Sequence, residues 1–206
     1  SAAQVGCNNA RELLSLASLK VIPSVGIDQS GAFLEQGRVL AKAAGLEPRL
    51  IEADIYDLPD DVGTFDLVLV TIGVLNWMPD LGGFFRVIAG LLGPGGHLLV
   101  YETHPVMEMF DPESDTPHEP AISYFRTDPL KEEGLISYDG VDHGSGETGY
   151  WFIHTLGQIV TSCATAGMTI TSLKEFGYSI REPEYDVYEG REAQIPMSYL
   201  LHARKM

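Results

Sequence analysis

Basic residues are scarce in this chain. Lysine and arginine total 13 against 29 aspartates and glutamates, a formal net charge of −16. Phosphate backbones attract positive patches, so this balance argues against nucleic-acid binding and against docking on an anionic membrane surface. It fits an acidic solvated surface and leaves cationic or neutral small substrates open. Cysteine is almost absent. Cys7 and Cys163 are the two present, both on predicted elements, which is no disulfide framework and points to a reducing, cytoplasmic compartment. No apolar run is long enough to span a bilayer, and no signal peptide opens the chain.

Several chemistries lack their residues. A dinucleotide-binding loop needs G-x-G-x-x-G, because a pyrophosphate must approach a glycine-lined helix start; "GCNNAR" (6–11) has one glycine. No G-K-[ST] marks a Walker phosphate loop. The six histidines, at 97, 104, 118, 143, 154 and 202, show no zinc-ligand spacing. A G-x-S-x-G nucleophile elbow is missing too.

What is present suits one domain: 206 residues, 45% of them hydrophobic, with a mean hydropathy of +0.03, enough chain to bury a sizeable core. Ser1 stands almost directly on the first apolar run, which implies either a preceding segment or a very short first strand. Strand and helix signals then alternate. Ala2 to Val5 is a short strand, and "NARELLSLASL" sets Leu13, Leu14, Leu16 and Ala17 on one helical face. "VIPSVGID" (21–28) is a strand whose proper start is expected near Ser24, because Pro23 suits no strand interior. Ser30 caps a helix over 30–46 that ends at Gly45. Strands follow at 48–55 and 65–73, a helix at 80–92 stopped by "GPGG", and a strand at 97–102. This alternation specifies an α/β fold, a mostly parallel sheet with helices on both faces.

The pattern changes after Glu102. Residues 103 to about 153 carry five prolines and scattered aromatics, too long for a plain connection, and read as an insertion within the single domain of 1–206. "YWFIHT" (150–155) has strand character; a helix capped by Thr155, a strand at 168–176 and a final strand at 195–205 complete the chain. No helix separates those last two strands, so the final one runs antiparallel to its neighbour.

Ligands of an open parallel sheet bind at the carboxyl ends of its strands. Standing there are Gly6, Cys7, Asn8, Asn9 and Ala10; Asp28 and Gln29; Asp54, Ile55 and Tyr56; Thr71, Ile72, Gly73, Asn76 and Trp77; and Glu102, Thr103 and His104. Asp28, about twenty residues beyond the first loop, is placed to accept hydrogen bonds from a ribose diol; the alternative is a carboxylate favouring the following helix dipole. Asp54 is placed to accept from an exocyclic amine while Ile55 packs on a purine face, or else is a turn aspartate. Small residues at 6–10 allow close approach to the backbone.

These residues carry a resemblance. "QVGCNNA", "GID" (26–28), "EADIYDLP" (52–59), "FDLVLVTIGVLNWMPD" (65–80) and "LLGPGGHLLVYE" (91–102) follow in the order and spacing of the class I S-adenosylmethionine-dependent methyltransferases. The resemblance implies a Rossmann-like three-layer sandwich with a seven-stranded sheet in the order 3-2-1-4-5-7-6 and the last strand antiparallel. It implies S-adenosyl-L-methionine as cofactor and methyl transfer to a small-molecule acceptor. Its cofactor set here is Gly6, Cys7, Asn8, Asp28, Gln29, Asp54, Ile55, Thr71, Ile72, Gly73 and Trp77, with no metal. The backbone near Gly6 and Asn8 lines the methionine part, and Thr71, Gly73 and Trp77 lie toward the methyl group. Three departures stand out: Gln4 where the family has an acid, and Asn8 and Ala10 where it has glycines. Asparagine tolerates the left-handed backbone such a loop needs.

In-line transfer from a sulfonium asks mainly for alignment and shielding. Where the acceptor must lose a proton, His104 is the first candidate base, with Glu102 contacting substrate or orienting it, and His154 a further candidate. In the insertion, Tyr124, Phe125, Tyr138, Tyr150, Trp151 and Phe152 are candidates for an apolar acceptor wall. Two other readings stay open: a methyltransferase-like module that binds without catalysis, and a nicotinamide-dependent oxidoreductase, against which the missing glycine fingerprint speaks. The acceptor's identity and the oligomeric state are not legible.

Overall fold

A seven-stranded sheet forms the centre of the computed structural model, which describes residues 1–133 and 148–206. β1 (Ala2–Val5), β2 (Pro23–Asp28), β3 (Arg49–Glu52), β4 (Phe65–Thr71) and β5 (Leu92–Thr103) pair in parallel. β8 (Met168–Phe176) and β9 (Ser198–Lys205) complete the sheet, with β9 antiparallel to both β5 and β8. Strand order is β3-β2-β1-β4-β5-β9-β8. This is the expected order. The numbers differ because β6 (Leu130–Glu133) and β7 (Thr148–Trp151) form a separate antiparallel ribbon within the insertion.

Local chemistry sets the helix ends. In α2 (Gly31–Ala44) the Ser30 hydroxyl accepts from Phe33 N at 3.3 Å, and Gly45 closes the helix at φ +66°, a left-handed turn that glycine adopts without steric cost. α3 (Leu81–Leu91) starts at Asp80, whose carboxylate accepts from Gly83 N at 2.9 Å. α4 (Leu156–Thr165) has a reciprocal cap: Thr155 Oγ1 accepts from Gln158 N, and Gln158 Oε1 accepts from Thr155 N. α1 (Arg11–Ser15) is shorter than its sequence pattern suggests and tightens into a 3-10 turn over Leu16–Leu19.

Successive residues of β1 feed opposite faces of the sheet, as strand geometry requires. Ala3 and Val5 join the main core with Val68, Val70, Phe84, Phe85, Ile88, Ile159 and Cys163. Ala2 joins a second cluster with Cys7, Ala10, Leu13 and Leu34. A third cluster of Met107, Tyr188 and Met197 ties the insertion to the segment before β9.

Strand boundaries differ from the sequence reading: β3 and β4 end earlier, at Glu52 and Thr71, β7 lies at Thr148–Trp151 and not 150–155, and β9 begins at Ser198 and not 195. β2 begins at Pro23, not Ser24, because it sits at the strand's first position, where its missing N–H does not interrupt the ladder. "GPGG" does not merely stop α3. It is taken into β5 as a bulge: Phe65 pairs with Leu92, but Leu67 pairs with His97. A Cβ on Gly96 would lie 2.9 Å from the Gly93 carbonyl and 3.0 Å from that of Phe65, so the bulge leaves no room for a side chain there. Tyr138, named as a candidate above, lies outside the described residues, as does His143.

Candidate functional site

The order in which strands join the sheet reverses between β1 and β4, which run parallel. Strands one to three progress to one side of β1, and β4 lies on the other. At such a switch point the loops after neighbouring strands diverge and leave a crevice. The loops after β1, β2, β3 and β4 meet there through specific contacts.

The first loop takes up three left-handed residues: Gly6 at φ +61°, Asn8 at +51° and Ala10 at +58°. Asn8 and Ala10 therefore hold the backbone form expected of glycines, Ala10 at a steric cost of about 1–2 kcal/mol. Gly6 is required twice over. A Cβ there would stand 2.5 Å from Val74 Cγ2, so the first loop packs backbone-first against the loop after β4. Asp28 fastens the same loop from β2. Its Oδ2 accepts from Asn8 N at 2.7 Å and its Oδ1 from Ser30 N at 2.9 Å. Each oxygen has a second lone pair, so a diol can still be accepted. Asp28 O accepts from Ala53 N at 3.0 Å, which draws the loop after β3 alongside.

Gln4 is buried, and its amide bridges two elements. Oε1 accepts from Leu13 N at 2.9 Å, and Nε2 donates to Thr71 Oγ1 at 2.9 Å. An amide supplies the donor and the acceptor together, so glutamine in the family's acid position links α1 to the end of β4.

The other cofactor candidates are placed unequally. Cys7 turns its thiol into the second cluster, where burial, then Asp28, pushes its pKa up to about 12. Its N–H donates to Ile27 O and its carbonyl accepts from Ala10 N. Gln29 is exposed at the end of β2. Asp54 is exposed, with Oδ1 accepting from Tyr56 N at 2.9 Å in a local turn. Ile55 is buried in the main core. Thr71 is half-buried, Ile72 is 45% exposed, and Gly73 adopts φ +88°.

The turn after β4 meets the return strand of the insertion. Phe152 N donates to Asn76 O at 2.7 Å, Asn76 Nδ2 donates to Phe152 O at 2.9 Å, and His154 Nε2 lies 2.8 Å from Met78 O. Trp151 consequently lies over Gly73, 3.7 Å from where a Cβ would be, and meets Trp77 edge to face at 5.3 Å between centroids. Its indole N–H donates to Glu108 Oε2 at 2.9 Å. Glu108 also pairs with Arg181 at 3.1 Å, and the Arg181 guanidinium stacks 4.2 Å from the Tyr185 ring centre. The expected apolar wall divides: Trp151 and Phe152 join this turn, Tyr124 Oη accepts from Leu156 N at the start of α4, and Phe125 and Tyr150 are exposed. Glu108, Arg181 and Tyr185 were absent from the sequence reading. They are brought together from distant segments, and no periodicity marks them.

His104 is 4% exposed, beneath β9. Its Nδ1 accepts from Val106 N at 3.1 Å, which makes Nε2 the protonated nitrogen of the neutral ring, and Nε2 faces Glu175 Oε1 at 3.0 Å. Burial lowers its pKa, against the pull of Glu175. Burial likewise lowers that of His154. Glu102 makes no hydrogen bond to His104. Its carboxylate accepts instead from Gly73 N at 2.5 Å and Leu75 N at 3.1 Å. Among the described residues no cluster of three or more His, Cys, Asp or Glu is arranged to hold a metal.

A parallel sheet in this order with one reversed strand, and a backbone-lined crevice at its switch point carrying an acid from the second strand, defines the class I S-adenosylmethionine-dependent methyltransferase architecture. Comparison with known proteins agrees. Residues 3–100 match the model of a methyltransferase domain. A demethylmenaquinone methyltransferase of Thermus thermophilus is 40% identical over 84 residues, which is 39% of this chain and 36% of that protein. A structure from Listeria monocytogenes assigned to the S-adenosylmethionine-dependent methyltransferases superposes with a TM-score of 0.71 at 18% identity, covering 100% of this chain and 90% of that one. Another such methyltransferase, from Mesorhizobium loti, gives 0.67 at 20%, covering 99% and 90%. The chain has the fold of the S-adenosylmethionine-dependent methyltransferases, and residues 3–100 are similar to a methyltransferase domain. It spans about a third of the length of the Thermus thermophilus relative.

Proposed function

We propose that the chain transfers the methyl group of S-adenosyl-L-methionine to a small-molecule acceptor held against the Trp77–Trp151 wall. One observation carries this reading: the glycine-poor first loop still adopts the left-handed form at Asn8 and Ala10 and is tied by Asn8 N to Asp28. The residues present therefore fit the cofactor. Asp28 takes the ribose diol, the backbone of Gly6 and Asn8 borders the methionine part, Asp54 takes the adenine amine, and Thr71, Gly73 and Trp77 run toward the reacting end. The bound cofactor supplies an activated methyl group. The protein's own residues orient it, exclude water and align the acceptor.

The insertion, residues 103 to about 153, supplies acceptor recognition through Trp151 and Phe152. Two indoles at the reacting end favour an apolar or ring-bearing acceptor. The Thermus thermophilus relative, a demethylmenaquinone methyltransferase, supports a small-molecule acceptor of that kind. The base expected at His104 is not carried forward: its Nδ1 lone pair is taken by Val106 N–H and its Nε2 proton faces Glu175. We assign His104 to fixing the start of the insertion. The acidic charge of −16 supports an acceptor other than nucleic acid. No helix among the described residues is long and apolar enough to cross a membrane.

Isothermal titration with S-adenosylhomocysteine tests the reading. Binding is expected in the native chain and at least tenfold weaker in Asp28→Ala, the loss of about one or two charge-assisted hydrogen bonds. Absence of binding by both S-adenosylmethionine and S-adenosylhomocysteine overturns it.

A further inference from the structure

Behind the turn after β4 lies a narrow cavity of about 10 Å³, about the space one water molecule occupies. Glu102, Thr103, Asn76, His154 and Tyr199 line it. Glu102 reaches it from the carboxyl end of β5 and is 2% exposed. A carboxylate buried to that degree is expensive unless its oxygens are bonded. They are: Gly73 N and Leu75 N, both in the turn that leads to Trp77, each donate to a separate oxygen. Opposite, the fully buried Tyr199 Oη from β9 has no hydrogen-bond partner among the described residues.

Other titratable groups face the cavity from each neighbouring element. Glu108 comes from the turn at Pro105–Met109, where it is paired with Arg181. His154 comes from the segment before α4, held by Met78 O, its pKa lowered by burial. Tyr199 stands on β9, with Cys163 of α4 and Tyr124 near it. None of them places a positive charge on Glu102. Burial accordingly pushes its carboxyl up to about 7, against the pull of the backbone N–H groups of Gly73, Leu75, Val74 and Thr103.

We propose that Glu102 is a positioning residue whose ionised carboxylate locks the 73–77 turn, and with it Trp77, into the form that borders the methyl-transfer site. The proposal rests on reading that turn as a wall of the site. An ionised carboxylate accepts at both oxygens. Once protonated, one oxygen carries the hydrogen and both lose the negative charge, so the hydrogen bonds from the two N–H groups weaken to neutral strength. The turn is therefore locked above neutrality and loosened below it.

The chain has two tryptophans, so Trp151→Phe leaves Trp77 as the sole fluorophore, and acrylamide quenching reads its accessibility. Quenching is expected to rise about twofold as pH falls, with a midpoint near 7. In Glu102→Gln, whose amide is likewise uncharged, quenching at pH 8 matches the unsubstituted turn at pH 5.5 and no longer varies with pH. That variant also binds S-adenosylhomocysteine about tenfold more weakly, with unchanged circular dichroism. A flat quenching profile with Glu102 present overturns the proposal, as does Glu102→Gln retaining both the pH response and the native affinity. Should Glu102→Gln not fold, the quenching profile of Trp151→Phe alone decides. Failure of the native chain to bind S-adenosylhomocysteine overturns the methyl-transfer reading, while the quenching profile still decides the role of Glu102.

Discussion

Replacing Gly6 by alanine probes the contact on which the crevice depends. The added Cβ meets Val74 Cγ2 at 2.5 Å and Cγ1 at 3.1 Å, and the backbone must hold φ +61° with a side chain attached. The left-handed conformation costs about 1–2 kcal/mol, and overpacking against a buried side chain adds about 1–3 kcal/mol. Gly6→Ala should therefore destabilise the fold by about 2–5 kcal/mol. Val74→Ala alone removes two buried methyl groups and costs about 2 kcal/mol. In the double variant the clash disappears but the backbone cost stays, so the total is about 3–4 kcal/mol. The expected coupling is thus favourable by about 1–3 kcal/mol, well above the 0.3–0.5 kcal/mol or so typical of independent sites. Urea denaturation of the four proteins, with m-values checked for equality, measures it. Additive behaviour would refute the claim that the first loop and the turn after β4 are in direct steric contact.

Three further outcomes follow from described contacts. Gln4→Ala leaves Leu13 N without an acceptor in a buried setting and removes the partner of Thr71, so it should cost about 2–3 kcal/mol in chemical denaturation, more than an ordinary surface change. Lys205→Met keeps the aliphatic stem but removes the ammonium that donates to Ala89 O and Leu92 O at 2.7 Å, and should lower stability by about 1–2 kcal/mol, checked by thermal unfolding. The third outcome concerns pH. Glu102 binds its proton more tightly folded than unfolded, at about 7 against 4.5, so folding gains stability as pH falls through 7. His104 and His154 have pKa values lowered by folding, so their contribution is lost as pH drops below about 6.5. Denaturation midpoints measured from pH 8 downward should rise first and then fall, and the initial rise should vanish in Glu102→Gln.

The fold was legible where local chemistry and global arrangement agree. Apolar runs such as "FDLVLV" specify a strand buried in a parallel sheet, and Ser30, Gly45 and Thr155 mark helix ends by hydrogen bonds a sequence reader can anticipate. Asn8 and Ala10 were recognisable as occupants of glycine positions, and their backbone angles agree. The bulge at 93–96 was not legible. Glycine and proline signal a break, and only the Phe65–Leu92 and Leu67–His97 pairings show that the ladder resumes across it. Near the candidate site, side-chain roles were harder than backbone roles. Nothing in "HPVMEMF" reveals that Glu108 receives both an indole N–H and a guanidinium from segments 43 and 73 residues away. His104 illustrates the same limit: its position at a strand end suggested a base, but its tautomer is set by Val106 N, two residues on, and by Glu175 from another strand.

The two cysteines acquire a use from where they lie. Cys7 belongs to the cluster on one side of the sheet and Cys163 to the core on the other, and both are free and buried. Burial raises both thiols' pKa values, to about 12 and about 11, so neither forms a reactive thiolate until its layer opens. The rate at which each is alkylated is consequently a clock for one side of the sheet. Two residues of a type the sequence hardly uses can report separately whether ligand binding quiets one layer of the sandwich or both.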